Sequence, residues 1–292
     1  MAITKLSDLG DTIPTIIEEA RFTSQFKAIM RGLSWTIKKG KGTTVNVPYF
    51  SEATANVLTE AVDMTSSETM IDTNVQITTY EVGLKIVLTD NVIEDDNEDL
   101  KRAAGRILGD AFEKKRDQDL LVQLDDATIS LAGASTTLTM GHIAASRAVL
   151  GGNATTTGGP APTPYACVIH PFQELDLVDV ITPVVPAAGT TNVGGSALFD
   201  SIIQKYSIGR LFGMPIITDG NLVISGTDVK GGVFASGNGG GLIYVSAREP
   251  NVEPERDASL RGWELNYVGR YGVGEYLAGW IVELYTDCTT PA

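Results

Sequence analysis

The stretch IDTNVQITTYEVGLKIVLT, residues 71–89, decides how the chain is read. Val75, Ile77 and Thr79 alternate with polar residues before Tyr80, and Val82, Leu84, Ile86 and Leu88 alternate after it, the period of a β-strand. The phase slips at Tyr80-Glu81, which predicts a bulge or a change of facing. At ~3.3 Å per residue such a run extends ~60 Å. Upstream, Thr43-Thr44-Val45-Asn46-Val47-Pro48-Tyr49 alternates in the same way, and its proline suits an edge strand because it cannot donate to a ladder. Between the two strands lies SEATANVLTEAVDMTSSETM, residues 51–70, with four acids and no base. A long two-stranded ribbon is barely stable alone in water, and so long an irregular tip is out of place inside a compact domain. Both difficulties vanish if the ribbon projects and lies on a neighbouring subunit. The other reading is a hairpin folded onto its own domain.

Outward from the ribbon, Leu100, Ala103-Ala104, Ile107-Leu108, Ala111-Phe112, Leu121 and Leu124 follow a helical repeat. Asp95, Asp96, Glu98 and Asp99 crowd its start and Lys114, Lys115 and Arg116 come later, as the helix dipole favours. A helix over 97–125 would measure ~43 Å and act as a spine. Residues 1–42 read as an arm with short helical pieces built on Ile13, Ile16, Ile17 and on Phe26, Ile29, Met30. Beyond the spine, a short helix opens at Thr139, and Ile143, Ala144, Ala148 and Leu150 line its apolar side. Residues 151–164 and 183–196 read as loops, 165–169 and 214–218 as strands, and 171–181 and 197–206 as helices. From 231 onward strand patterns dominate, in GGVFAS, GLIYVSAR, 260–276 and 278–286. The class is α+β.

Composition excludes several functions. The 292 residues are 43 % hydrophobic, enough for a sizeable core, and carry a net charge of −14. That balance disfavours a dedicated nucleic-acid binder, which needs clustered Lys and Arg to displace counterions, and docking on an anionic membrane. The charge is segregated. Residues 1–50 hold seven bases against four acids, and residues 51–100 hold twelve acids and one base, Lys85. The acidic stretch is either a solvated face that keeps the chain soluble or a surface complementary to a basic one on another copy. Two cysteines are too few for a disulfide scaffold. The opening MAITKLSDLG lacks the apolar core of a signal peptide, and no apolar run approaches ~18 residues. A soluble chain made in a reducing compartment is expected.

No constellation of reactive residues stands out. His142 and His170 each lack the i, i+4 partner of a helical zinc site and are expected to be structural. Cys167 sits inside an apolar strand, where a thiol is inert filling, and Cys288 lies in the tail. The pairs Glu18-Glu19, Asp95-Asp96 and Asp125-Asp126 are adjacent residues whose side chains diverge. Gly237-Asn238-Gly239-Gly240-Gly241 precedes a strand, whereas a phosphate cradle needs strand, glycines and then helix. Tyr271-Gly272-Val273-Gly274 fails the same test. Catalytic, cofactor-binding and metal residues are each expected to be none, and the chain is expected not to be an enzyme.

The order of arm, ribbon, spine helix, α/β lobe and returning strands resembles the major capsid protein of tailed bacteriophages, the Hong Kong 97-like capsid fold. Thr44-Val45-Asn46-Val47-Pro48 resembles that family's rising loop strand, Thr59-Glu60-Ala61 its tip, and Tyr80 to Asp90 its descending strand. Leu88-Thr89-Asp90 with Ile93-Glu94-Asp95 resembles the entry into the spine helix. Leu138-Thr139 followed by Ile143, Ala148 and Leu150, and Val168-Ile169-His170-Pro171 followed by Leu175, resemble the first steps of the axial lobe. Phe212-Gly213-Met214-Pro215-Ile216 with Thr218-Asp219, Phe234 to Tyr244 and Val268 to Leu284 resemble the strands that carry the chain back.

The resemblance implies an N-terminal arm over 1–42, an extended β-hairpin loop over 43–88, a peripheral domain with its spine helix over 89–127, an axial domain over 128–247 and peripheral return strands with the tail over 248–292. It implies self-assembly into hexamers and pentamers of an icosahedral shell around double-stranded DNA, located in the virion and, during assembly, in the host cytoplasm. Scaffolding, portal and decoration proteins are the implied partners, with DNA enclosed without sequence-specific binding. An encapsulin-type compartment shares the fold, and a soluble α+β enzyme is the alternative from another class. Some members weld their shells through a loop lysine. Nothing between Thr43 and Glu81 is lysine, so no such cross-link is expected. The chain opens directly with the arm, so a separate scaffolding protein is expected unless a leader is removed before Met1. Candidate basic partners for the acidic stretch are Lys38, Lys39, Lys41 and the 114–116 run.

Overall fold

The computed structural model describes residues 28–50, 72–95, 100–152, 159–181 and 208–290, together with 53, 55–60, 63–64, 67, 69 and 70. The expected arm helices around Ile13 to Phe26, the loop expected over 183–196 and the helix expected over 197–206 lie outside the described residues.

The run over 71–89 is two strands in two sheets rather than one long ribbon arm. β3 (Asp72–Thr78) pairs antiparallel with β2 (Thr44–Phe50), Thr44 opposite Thr78 and Phe50 opposite Asp72. β4 (Tyr80–Thr89) instead lies against β11 (Gly262–Glu275), Tyr80 opposite Tyr271 and Thr89 opposite Gly262. Thr79 is the switch. Its N–H and its hydroxyl both donate to the Thr43 carbonyl, at 3.2 and 3.1 Å, and Lys39 Nζ donates to its Oγ1 at 2.9 Å. The slip in the sequence pattern at Tyr80-Glu81 is therefore a change of partner. The hairpin of β2 and β3 is seven residue pairs long, about 23 Å at 3.3 Å per residue.

β4 and β11 belong to a four-stranded sheet ordered β1-β10-β11-β4, with β1 (Trp35–Lys38) parallel to the first residues of β10 (Leu242–Asp257). A six-stranded sheet is ordered β5-β12-β9-β6-β8-β7, formed by β5 (Ile129–Ala132), β6 (Tyr165–Ile169), β7 (Arg210–Leu211), β8 (Met214–Thr218), β9 (Asp228–Ala235) and β12 (Ile281–Asp287). Both of its faces are covered, which is why its central strands read as unbroken apolar runs. On β6, Cys167 and Ile169 face a core with Ile143 and Leu150 of α4 (Met140–Gly152) and Leu177 of α5 (Pro171–Ile181). Ala166 and Val168 face the other way, into a core with Phe112, Leu120 and Leu121 of α3 (Leu100–Val122).

α3 is the spine, with 23 residues and a length of about 35 Å. It ends before Asp125 because the amides of Gln123, Leu124 and Asp125 bond three residues back, tightening the last turn. Near its start Ala104 and Leu108 pack on Leu88 and Leu265 of the four-stranded sheet. Asp95, expected at the head of the spine, is the last described residue of α2 (Asp90–Asp95). One helix thus spans both sheets and ties them together.

Candidate assembly surface

The residues that could have carried chemistry are occupied with structure. Thr139 caps α4: its Oγ1 accepts the His142 amide at 3.4 Å, and its own amide donates to His142 Nδ1 at 3.3 Å, a reciprocal box with histidine in place of glutamate. His170 Nδ1 accepts the Phe172 amide at 3.2 Å and lies 3.1 Å from Cys288 Sγ, pinning the tail to the start of α5. Burial holds the His170 proton affinity below its ordinary value. Burial pushes the Cys167 thiol up to about 12, and burial with nearby Asp176, Asp287 and Asp228 pushes Cys288 up to about 11, so both thiols stay protonated. Asp125 pairs with Lys230, while Asp126 acts on Glu275, whose carboxyl is raised to about 7 mainly by burial. Glu18-Glu19 and Asp96 lie outside the described residues. Among the described residues no group of three or more His, Cys, Asp or Glu could hold a metal ion, and no helix is long and apolar enough to cross a membrane.

The glycine motifs serve backbone geometry. Gly237, at φ 87°, opens the turn from β9 into β10. At Gly272 an added Cβ would stand 2.7 Å from the Thr78 carbonyl, and at Gly274 one would stand 3.2 Å from Ile77. These two glycines form the floor on which the hairpin's root rests.

The root is a small core of its own. Val45, Val47, Val75 and Ile77 project from one face of the hairpin onto Ile243 and Val245 of β10, with Trp35 and Ile37 of β1 alongside. Tyr276 meets Trp35 and Tyr49 edge-on and donates its hydroxyl to the Pro48 carbonyl at 3.2 Å. Below the root, Tyr80 and Tyr271 donate to one oxygen of Asp119 on α3, at 3.0 and 2.7 Å, and Lys115 reaches the other oxygen at 2.6 Å. The opposite end differs sharply. Phe50 is 58 % exposed, Val57 99 %, Leu58 63 %, Met64 66 % and Met70 79 %.

Of the two readings of the hairpin, folding back on its own domain describes the root, while the described apolar residues of the tip are exposed. The basic candidates also separate. Lys38 and Lys41 are exposed near the root, Lys39 is tied to Thr79, and Arg270 acts on Lys39. The 114–116 run is not one patch: Arg116 is 3 % exposed, bonded to Glu113 and Tyr244, and Lys115 is engaged by Asp119. Charge alone marked Arg116 as surface. Its place in the row Leu108, Phe112, Arg116, Leu120, Leu124 was the signal for burial.

A long spine helix is shared by two sheets, and a hairpin is packed on the body at its root and exposed at its described tip residues. The phage capsid protein family model matches residues 71–282. The chain belongs to the phage capsid protein family. No curated protein matches the sequence. Among solved structures, this capsid protein is similar to a chain of Mycobacterium phage Che8 at 18 % identity and TM-score 0.72, covering 94 % of this chain and 97 % of that one. It is similar to the acid-stable capsid of the Helicobacter pylori bacteriophage KHP30 at 9 % identity and TM-score 0.73, covering 99 % of each chain. The capsid of Ralstonia phage GP4 matches at 11 % identity and TM-score 0.70, covering 100 % of this chain and 99 % of that one. The mixed α+β architecture is the Hong Kong 97-like capsid fold. The protein is a major capsid protein, a structural chain whose place is the shell of a virion.

Proposed function

We propose that this chain assembles into hexamers and pentamers that close an icosahedral shell around double-stranded DNA, with no catalytic turnover of its own. The observation that carries this is the hairpin tip, where five large apolar side chains between Phe50 and Met70 stand in solvent. Exposed apolar surface of that kind marks an interaction site, and a second copy of the chain is the occupant a shell supplies. The acidic residues Glu60 and Asp63 of the tip suit the basic side chains Lys38, Lys41 and Arg270 at the root of a neighbouring hairpin. Root and tip lie at opposite ends of one hairpin, so the contact runs head to tail and closes into rings when the rotation permits.

In this reading residues 1–42 form the arm, 43–88 the extended loop together with the strand β4 by which it descends into the body sheet, 89–127 and 248–292 the peripheral domain, and 128–247 the axial domain. Scaffolding, portal and decoration proteins act as partners, and assembly takes place in the host cytoplasm. A net charge of −14 per copy suits a wall along which DNA slides during packing. Electron microscopy of the purified full-length chain tests the proposal: closed shells built of pentamers and hexamers are expected. A stable 31.0 kDa monomer under all assembly conditions, turning over a small molecule, overturns it.

A further inference from the structure

Asp117, near the end of α3, and Asp219, just past the end of β8, are 1 % and 0 % exposed. Asp117 Oδ1 accepts the amides of Ile29 and Met30, both at 2.9 Å, where the chain enters α1 (Met30–Leu33). Its Oδ2 accepts Nδ2 of Asn221 at 3.0 Å. Asp219 Oδ1 accepts the Asn221 amide at 2.8 Å, but Asp219 Oδ2 is buried with no donor facing it. Asn221 thus bridges the two buried carboxyls, its backbone amide donating to Asp219 and its side-chain amide to Asp117.

Two ionised carboxylates bridged by one asparagine and buried from water repel strongly, whereas one proton held by the pair makes a donor of the orphaned oxygen. We propose that Asp117 and Asp219 share a single proton, and that this pair is a pH-responsive clasp holding the exit of the N-terminal arm to the spine helix and to the end of β8. The clasp lies within one chain and is independent of shell assembly. Burial first, and the Asp117 carboxyl second, push Asp219 up to about 7.

The charged groups on the surrounding elements are engaged elsewhere. Arg116 on α3 is held by Glu113 and Tyr244, Lys115 by Asp119, and Arg31 on α1 by Glu249. His170 follows Ile169, whose carbonyl receives the Asp219 amide, but its ring faces Phe172 and Cys288 and stays neutral above its lowered value. With the arm held, Asp219 binds its proton more tightly than when released to an ordinary carboxyl environment. Raising the pH towards about 7 therefore favours release, and above that value both states are ionised and the dependence flattens.

Hydrogen–deuterium exchange of assembled particles, followed in the peptide carrying the Ile29 and Met30 amides, tests the clasp. After correction for intrinsic base catalysis, protection is expected to fall about tenfold between pH 6 and pH 8, most of it below about pH 7. Asp219→Asn keeps a donor towards Asp117 without a titratable charge, so its protection stays flat over the same range. Protection independent of pH in the wild type, or an unchanged slope in the variant, overturns the clasp. Should that variant not fold, infrared spectroscopy of Glu275→Gln, which removes the other carboxyl raised to about 7, decides. A protonated-carboxyl band present at pH 6 and lost by pH 8.5 supports the shared proton, and its absence at pH 6 refutes it.

Discussion

The root and the tip of the hairpin are made from the same chain segment and obey opposite rules. At the root every second side chain packs against the four-stranded sheet, with Val47 and Ile77 buried, and the backbone comes so close that Gly272 has no room for a Cβ. At the tip Val57 is 99 % and Met70 79 % exposed. A single chain satisfies its root and leaves its tip unfinished. Folding energy is therefore concentrated where the hairpin leaves the body, and assembly energy where it ends. Changes at one end are expected to read out separately from changes at the other.

The hardest test of that separation is Gly272→Val. Its branched side chain would collide with the Thr78 carbonyl and Ile77, so either the hairpin lifts or the sheet deforms. A loss of about 3 kcal/mol is expected, at the upper end of ordinary overpacking. Denaturant unfolding of the unassembled chain measures it. A midpoint equal to wild type would mean that the root contributes nothing to the fold, and the contrast between the two ends would collapse.

Legibility in the sequence follows the same division between local and distant causes. The strand over 165–169 and the helix over 171–181 fall where their residues predict. An apolar run covered on both faces announces itself, and Pro171 fixes the first helical φ. The hairpin's own alternation is equally local. What the sequence hides depends on partners far along the chain. Thr79 changes sheets because Thr43 and the strand 262–275 lie on either side of it, and no window around 79 contains that information. Asp117 reads as one more charge in the run Glu113 to Asp119, yet it meets Asn221 from 104 positions away. Only its position, four residues before the buried Leu121, hinted at an inward face.

A smaller effect sharpens where the root ends. Tyr80 begins β4 and donates to Asp119 on the spine helix while remaining 40 % exposed. Tyr80→Phe keeps the ring, which lies 5.2 Å from that of Tyr271, and deletes only the hydroxyl. Asp119 retains Tyr271 and Lys115, so the cost is expected at about 1 kcal/mol, the net value of a single hydrogen bond. A loss as large as that of Gly272→Val would show that the hairpin is held chiefly through the spine helix rather than through the apolar root.

The smallest effect on the fold belongs to the tip, and there the contrast is sharpest. Val57→Ser combined with Met70→Ser replaces side chains that already stand in water, so unfolding of the unassembled chain should shift by less than about 0.5 kcal/mol. The same pair removes apolar area from the surface proposed to lie on a neighbouring copy. Each buried methylene is worth about 0.8 kcal/mol, and the loss recurs at every copy around a closed shell. Particle yield is therefore expected to collapse under conditions that assemble the wild type, with the chain recovered as folded, unassembled subunits. Particles formed at wild-type yield would show that the exposed tip is left in solvent in the shell as well, and that the copies are joined elsewhere.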